Sequence, residues 1–204
     1  MRTIRVNRYR IAKRALATAE AVLRSGGVVA FPTETAYGLA ADPNSPSAVN
    51  RIMRVKGRPE DKRLPLVATS TEQARRFLVF PEKMAKISQK YWQGPLTLVL
   101  TVRRGQRLDG WSEAAIRVPA AAWARALPEA LGRPVTSTSA NLSGQPPCYS
   151  GAAVRRAFRG RAVQPDLLLD AGRLPPRPPS AIIKVERGQI KVLRPGPILD
   201  IVFN

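Results

Sequence analysis

The chain has 204 residues, of which 44% are hydrophobic, and its formal net charge is +20. This composition is typical of a globular protein and indicates an anionic substrate or partner, such as a nucleotide, RNA or DNA. Cys148 is the only cysteine and histidine is absent, which excludes an intramolecular disulfide, a Cys/His zinc site and catalysis by histidine. No apolar run reaches the length of a membrane span and the N-terminus lacks a signal-peptide core, so we expect a cytoplasmic protein without membrane contact.

The spacing of apolar residues, together with capping and turn residues, predicts interspersed helices and strands. In chain order these are a helix at 7–24, a strand at 28–31, a helix at 46–55, a strand at 64–68, helices at 71–77 and 81–91, strands at 96–102 and 114–119, helices at 121–131 and 151–158, a strand and turn at 167–172, and strands at 180–185 and 189–194. The last two strands are expected to pair. Because no long linker interrupts this order, we predict one α/β domain over residues 1–204, with its core at about 7–198, built on a twisted, mixed sheet.

A polar segment at residues 32–39 directly follows the predicted strand at 28–31 and includes Thr33, Glu34 and Thr35. Loops at the strand ends of open α/β sheets commonly bind ligands, which favours a site here. A capped turn, with Thr33 or Thr35 as the cap, is the structural alternative.

A second polar segment, at residues 136–144, carries five hydroxyl side chains and Asn141 and ends at Gly144. It cannot be buried as a plain strand, because each hydroxyl needs a hydrogen-bond partner. It is consistent with a strand end whose polar groups converge on an anion, or with a Ser/Thr-rich turn that bonds its own backbone. Alternate residues of an extended segment face the same side, so we expect Ser137, Ser139 and Asn141 to line one surface.

Three basic residues stand out from the general positive charge. Lys56 and Arg58 flank Gly57 at the end of the predicted helix at 46–55. Two cations at this spacing in an extended segment can clamp an anion, and solvated surface charge is the alternative. Arg117 lies within an apolar strand, where an arginine needs a paired carboxylate or an anion.

Several short segments occur together in an order that is typical of one family. They are residues 32–39, Lys56-Gly57-Arg58-Pro59, Gly94-Pro95-Leu96-Thr97, Arg117-Val118-Pro119, residues 139–144 and Leu193-Arg194-Pro195-Gly196. With these segments the chain resembles the YrdC/Sua5 family of threonylcarbamoyl-AMP synthases over roughly residues 10–198. It is similar to the short, single-domain form of the family.

The resemblance implies an open, twisted, mixed sheet flanked by helices around a concave, basic cavity. It implies a nucleotidyltransferase that converts L-threonine, bicarbonate or CO2, and ATP into threonylcarbamoyl-AMP and pyrophosphate. Mg²⁺ would be bound through the ATP phosphates and not through protein side chains. The product would pass to the machinery that makes N6-threonylcarbamoyladenosine in tRNA, and affinity for tRNA or other RNA, including double-stranded RNA, is expected.

The resemblance also implies roles for individual residues. The residues around threonine are Thr35, Arg117, Ser137 and Ser180. The residues around ATP are Arg58, Lys62, Ser139 and Arg194. The catalytic residues are Lys56, Arg58, Ser139 and Asn141.

Some positions depart from the family pattern. Val67 stands where many relatives have a histidine near threonine, and Glu113 and Pro147 stand where hydroxyl residues are common at the nucleotide site. Cys148 follows the second polar segment, and we predict no role for it, because no neighbour in sequence forms a base or a metal site.

Two alternatives to the synthase remain. The first is a non-catalytic RNA-binding factor in tRNA or ribosome maturation, which the net charge favours and the scarcity of aromatic residues, 6% of the chain, disfavours. The second is a paralogue in the same family with altered activity, which the replaced positions favour.

Overall fold

The computed structural model describes residues 1–57, 64–106, 108, 111–186 and 189–198. The helices are α1 (Lys13–Arg24), α2 (Pro46–Lys56), α3 (Thr71–Phe77), α4 (Glu82–Tyr91), α5 (Ala122–Leu131) and α6 (Gly151–Phe158). The strands are β1 (Arg2–Arg5), β2 (Val29–Pro32), β3 (Tyr37–Ala40), β4 (Leu66–Val67), β5 (Leu96–Thr101), β6 (Glu113–Arg117), β7 (Val135–Thr136), β8 (Thr138–Ser139), β9 (Leu167–Asp170), β10 (Ala181–Glu186) and β11 (Gln189–Arg194). Within these ranges no helix combines the length and the apolar character needed to cross a membrane.

The strands form two mixed sheets flanked by helices, which confirms the predicted α/β class. One sheet has the order β1-β9-β2-β3-β8 and the other the order β11-β10-β5-β6-β4-β7. In the first sheet β9 is parallel to β1 and β2, whereas β3 is antiparallel to both of its neighbours. In the second sheet β10 runs parallel to β5 and antiparallel to β11, so the predicted pairing of the last two strands is confirmed.

The second polar segment connects the two sheets. Val135 and Thr136 pair with β4 of the second sheet, whereas Thr138 and Ser139 pair with β3 of the first. Ser137 is the single residue between them, and its backbone N–H donates to the carbonyl of Pro65 at 2.7 Å. The chain therefore changes sheets at Ser137, which brings the polar strand ends of both sheets together.

Helices pack against both sheets and form three apolar clusters with them. Leu23 of α1 and Trp123 of α5 pack with Phe31 of β2 in one apolar cluster. A second cluster joins α2 and α6 to β3, and a third joins α3 and α4 to the six-stranded sheet. Full burial of a leucine or phenylalanine side chain stabilises a fold by about 1.5–3 kcal/mol, so these clusters hold the sheets in place around the site.

The N-terminal region differs from its prediction. The helix predicted from residue 7 begins at Lys13, because the Asn7 side-chain oxygen accepts hydrogen bonds from the backbone N–H groups of Tyr9 and Arg10 and so fixes a turn. Arg2–Arg5, for which no element was predicted, forms a strand because its backbone pairs in parallel with β9. Long-range strand pairing of this kind is not visible in local sequence.

Candidate functional site

A cavity of about 750 Å³ is lined by residues of both sheets. Among the residues that line it are six of the predicted substrate-binding residues, Thr35, Ser137, Ser139, Arg117, Ser180 and Arg194. They come from five separate parts of the chain. The sequence therefore predicted residues that the fold brings to one place, although their individual roles stay predictions.

The segment after β2 combines a fixed turn with residues that face the cavity. The Thr33 hydroxyl accepts hydrogen bonds from the N–H groups of Thr35 and Ala36, at 3.1 and 3.2 Å, and donates to the carbonyl of Ala36 at 2.6 Å. The turn interpretation is therefore correct for Thr33. Thr35 lines the cavity with its hydroxyl 3.1 Å from that of Thr33, so the ligand interpretation remains open for Thr35.

Arg117 on β6 is 8% exposed and donates from its guanidinium to the Glu34 carboxylate, which is 7% exposed. The second Glu34 oxygen lies 3.4 Å from the backbone N–H of Ala121. This pair supplies the partner that an arginine in an apolar strand requires. The sequence predicted that Arg117 needs a partner, but it could not single out Glu34 among the 14 acidic residues.

Arg194 on β11 is held against Ser180. Its guanidinium donates twice to the Ser180 carbonyl, at 3.0 and 2.8 Å, and once to the Ser180 hydroxyl at 3.0 Å. That hydroxyl also lies 2.8 Å from the hydroxyl of Thr97. Gly196 permits the close approach, because a Cβ at this position would lie 2.3 Å from the backbone nitrogen of Ala181.

Burial, and to a lesser extent repulsion from the Arg117 charge, lowers the pKa of the Arg194 guanidinium. Arginine remains protonated despite such shifts. The lowered pKa means that the surroundings disfavour the positive charge, so an anion in the cavity would relieve an electrostatic penalty. This part of the cavity is suited to a phosphate or a carboxylate.

Ser137 and Ser139 both line the cavity that Arg194 also lines, as the alternation of an extended segment predicts. Asn141 does not follow the same pattern, since its side-chain amide turns back and donates to the carbonyls of Leu142 and Gln145, at 2.9 and 2.5 Å. It lines a separate, smaller depression. The predicted single surface therefore holds for the two serines and is wrong for Asn141.

Lys56 at the end of α2 is buried, and its ammonium donates to the carbonyls of Ser139 and Asn141, at 2.6 and 2.9 Å. Gly57 ends the helix in the left-handed conformation with φ of 61°, which favours glycine. Lys56 and Asn141 thus hold the backbone of the second polar segment, and neither is among the described residues that line the cavity. Their catalytic roles stay predictions.

Arg58 and Lys62 lie outside the described residues, so their predicted roles with ATP stay predictions. Within the described ranges no group of three or more His, Cys, Asp or Glu residues could hold a metal ion. The Glu113 carboxylate, which lines the cavity, and the Glu34 carboxylate, which lies between the lining residues Thr33 and Thr35, already have cationic partners. Glu34 is paired with Arg117, and Glu113 accepts from the Lys184 ammonium at 2.9 Å.

Of the three residues that depart from the family pattern, one lies in the apolar core and two line the cavity. Val67 packs in the apolar core with Trp123, while its neighbour Leu66 lines the cavity. Glu113 and Pro147 both line the cavity. Hydrogen bonding to Glu113 raises the pKa of the Lys184 ammonium, so this side of the cavity carries an ion pair.

Two buried side chains near the site, those of Tyr37 and Cys148, have surroundings that are typical of structural residues. The Tyr37 hydroxyl donates to the carbonyl of Gly172 at 2.8 Å and accepts from the N–H of Ala171 at 2.9 Å. Burial is the main reason why the pKa of Tyr37 rises to about 12. Burial also raises the pKa of the Cys148 thiol, which keeps it protonated and weakly reactive.

Sequence reasoning did not select several of the cavity residues, among them Thr97, Tyr149 and Arg177. Thr97 supports Ser180, Tyr149 lines the wall, and Arg177 adds a third arginine from a proline-rich segment. Thr97 lies in the Gly-Pro-Leu-Thr segment and could have been selected from it. Arg177 had no such signal, because its neighbours resemble an ordinary loop.

Known proteins of similar sequence indicate the family of this chain. The family model Sua5/YciO/YrdC, described as telomere recombination, matches residues 21–196. The threonylcarbamoyl-AMP synthase of Halorhodospira halophila is 44% identical over 147 residues, which cover 70% of this chain and 77% of that protein. The threonylcarbamoyl-AMP synthase of Pyrococcus abyssi is 36% identical over 199 residues, which cover 95% of this chain and 58% of that protein.

Solved structures show the same fold. P. abyssi Sua5 complexed with L-threonine aligns with a TM-score of 0.88 and 34% identity, covering 98% of this chain and 60% of that one. E. coli YciO aligns with a TM-score of 0.84 over 98% of both chains, and at 24% identity it supports the fold alone. The chain thus spans about three fifths of the length of the Pyrococcus relative. Because the family model matches most of its residues, the chain belongs to the Sua5/YciO/YrdC family.

Proposed function

We propose that the chain is a threonylcarbamoyl-AMP synthase, which makes threonylcarbamoyl-AMP and pyrophosphate from L-threonine, bicarbonate or CO2, and ATP. The observation that carries this proposal is the single cavity that collects Thr35, Arg117, Ser137, Ser139, Ser180 and Arg194. Two relatives at 36% and 44% identity bear the same name. An RNA-binding surface alone would not require hydroxyl groups and arginines to converge on one cavity.

We assign the binding and selection of threonine to the hydroxyl-lined part of the cavity. Arg117 would receive the substrate carboxylate, because a guanidinium binds a carboxylate through two parallel hydrogen bonds. Thr35, Ser137 and Ser180 would bond the substrate hydroxyl or its ammonium group. A pocket built to hydrogen-bond a hydroxyl rejects valine strongly, because its own polar groups would be left without partners.

The reaction brings two anions together, the carbamate of threonine and the triphosphate of ATP, so electrostatic repulsion is a large part of the activation barrier. The amine of threonine attacks CO2 and releases a proton, and an oxygen of the resulting carbamate attacks the α-phosphorus of ATP. The bond from that phosphorus to the bridging oxygen breaks, and pyrophosphate leaves. Fixed cations lower the repulsion between carbamate and triphosphate, which is the role we propose for Arg194 and for Arg58 and Lys62. The substrate supplies the nucleophile, so a histidine is not needed.

Lys56 and Asn141 would act by holding the segment that carries Ser139 beside the nucleotide. Mg²⁺ would enter with ATP and neutralise phosphate charge. We assign its ligands to the phosphate oxygens, because the Glu34 and Glu113 carboxylates are already paired with Arg117 and Lys184.

The product is an activated carbamate, and we propose that it supplies the threonylcarbamoyl group of N6-threonylcarbamoyladenosine in tRNA. A downstream transferase must then accept it, because the chemistry of this cavity ends with the adenylate. The cytoplasmic location predicted from the sequence stays a prediction.

Pyrophosphate release tests the proposal directly. The purified protein is incubated with ATP and Mg²⁺, and threonine and bicarbonate are omitted in turn. We expect pyrophosphate only when both are present, and less of it when valine or serine replaces threonine. A protein that releases no pyrophosphate with all substrates present would contradict the synthase, and release with a different amino acid would identify a paralogue with altered specificity.

RNA binding is a second candidate function, favoured by a separate observation. The N-terminal basic segment, residues 2–14, contains Arg2, Arg5, Arg8, Arg10, Lys13 and Arg14, and the first acidic residue of the chain is Glu20. Tyr9 is 77% exposed, with the Arg8 guanidinium 5.5 Å from the centre of its ring. Exposed cations beside an aromatic ring suit RNA, because phosphates and unstacked bases each find a partner. Salt-dependent RNA binding with no turnover of ATP would favour this candidate over the synthase.

A further inference from the structure

Arg177 differs from the other arginines of the cavity. It lines the cavity although its side chain is exposed. Within the described part of the chain it forms no hydrogen bond and no ion pair, whereas Arg117 is paired with Glu34 and Arg194 is bonded to Ser180. Its guanidinium therefore keeps all five N–H donors available to a ligand.

Arg177 is carried by a rigid segment, the proline strap, residues 173–179. Pro175, Pro176, Pro178 and Pro179 surround it on both sides. Proline fixes its own φ near −65° and restricts the residue before it to an extended conformation. Arg177, directly before Pro178, therefore loses little backbone entropy when it is held over the cavity.

Both ends of the proline strap are anchored. Leu174 is fully buried, and its N–H donates to the carbonyl of Tyr149 at 2.7 Å. At the other end, Ser180 is fixed by Thr97 and by the Arg194 guanidinium. Only five residues separate these anchors and four of them are prolines. The strap is thus preorganised, and preorganisation strengthens binding because less order is lost when a ligand arrives.

The charges around the cavity indicate which ligand group Arg177 meets. Glu113 is the one carboxylate among the described lining residues, and it is paired with Lys184. Arg117 is 8% exposed and suits the single carboxylate of threonine. Arg177 is an exposed cation that lines the cavity, and a partly solvated position of this kind suits the most highly charged part of a substrate, because its remaining oxygens can stay hydrated. A polyphosphate has several anionic oxygens that match the guanidinium fork.

We propose that Arg177 is a substrate-binding residue for the polyphosphate of the nucleotide and for the pyrophosphate that leaves. This inference rests on the proposed synthase function. It adds a phosphate contact from the strap to the contacts assigned to Ser139 and Arg194. The contact forms without rearrangement of the backbone, because the strap is already held in place.

Kinetics of Arg177→Ala and Arg177→Lys, with Arg173→Ala as the matched control, test the proposal. Arg173 is exposed on the same strap but is not among the residues that line the cavity. We expect Arg177→Ala to raise the KM for ATP roughly tenfold, equivalent to the loss of a charge-assisted hydrogen bond. The KM for threonine should change less than twofold, Arg177→Lys should be intermediate because it keeps charge without the fork, and Arg173→Ala should resemble the wild type.

A binding measurement separates this inference from the proposed function. Inorganic pyrophosphate is titrated calorimetrically into the wild type, Arg177→Ala and Arg173→Ala, with thermal unfolding as a check on the fold. We expect weaker pyrophosphate binding only in Arg177→Ala, at an unchanged unfolding midpoint. Equal KM for ATP and equal pyrophosphate affinity in Arg177→Ala and wild type would overturn the Arg177 assignment. A wild type that binds pyrophosphate but never forms the adenylate would overturn the proposed function instead.

Discussion

The cations around the cavity and those of the N-terminal basic segment share residue types but differ in their surroundings. The Arg117, Arg194 and Lys56 side chains donate to fixed acceptors, namely a carboxylate, a carbonyl with a hydroxyl, and two carbonyls. Within the described ranges, the cations of the basic segment form no ion pair, and all but Arg8 are exposed. Apart from Arg177, the described cations near the cavity are held at defined positions by their acceptors, whereas the cations of the basic segment are mostly exposed and, in the part of the chain that the structure describes, form no ion pairs.

Two carboxylates beside the first strand of the basic segment are already engaged in other ion pairs. Asp166 directly precedes β9 and Asp170 is its last residue; β9 pairs with β1, and the two aspartates form ion pairs with Arg51 and Arg155 at 2.6 and 2.7 Å. These two aspartates therefore do little to neutralise Arg2 or Arg5. The difference shows that the net charge of +20 combines two uses of arginine, which composition alone cannot separate.

The largest effect is expected from Arg117→Ala. This change removes the proposed carboxylate contact and leaves the buried Glu34 charge without its partner. We expect pyrophosphate release to fall at least about a hundredfold and the free energy of unfolding to fall by about 3–5 kcal/mol, measured by denaturant titration. The double variant Glu34→Ala/Arg117→Ala should recover much of the stability but none of the activity. A stable, active Arg117→Ala variant would show that the position of this cation does not matter, and the proposed difference between the cavity cations and those of the basic segment would then be wrong.

A smaller effect is expected from Lys56→Met, compared with Arg54→Met on the exposed side of the same helix. Loss of the ammonium leaves the carbonyls of Ser139 and Asn141 without that donor, which should lower the free energy of unfolding by about 1–3 kcal/mol. Because the second polar segment loosens, kcat should fall even at temperatures where the variant is fully folded. Arg54→Met should match the wild type in both measurements. If Lys56→Met matches it as well, the ammonium does not position the segment.

The smallest effect on catalysis is expected from Arg8→Ala/Arg10→Ala in the basic segment. Pyrophosphate release without RNA should change less than twofold, because neither residue is among the described cavity residues. Binding of labelled single-stranded RNA should weaken, and the slope of log affinity against log salt should decrease by about 1.4, or 0.7 for each lost phosphate contact. The exposed pair Arg159→Ala/Arg161→Ala serves as the control. An equal loss of RNA binding in both double variants would mean that the net charge, and not this segment, attracts RNA.

Elements with strong local signals could be predicted from the sequence. The helix α3 has its predicted bounds, because the Ser70 hydroxyl accepts from the N–H of Gln73 as a helix cap. Ser150 caps α6 in the same way through Ala153. The hydroxyls and arginines of the cavity were also predicted as a set, because their segments resemble one family and the basic composition pointed to an anionic ligand.

Length, composition and local spacing predicted a basic α/β domain and indicated that its polar strand ends suit an anionic ligand. Only the tertiary structure decided that the chain changes sheets at Ser137, that Glu34 is the partner of Arg117, that Asn141 turns away from the cavity, and that Arg177 reaches it. The physical reason is separation along the chain. Helix caps and turns depend on residues three or four positions apart, whereas buried ion pairs and strand pairing join residues such as Glu34 and Arg117, whose partners only the complete fold selects.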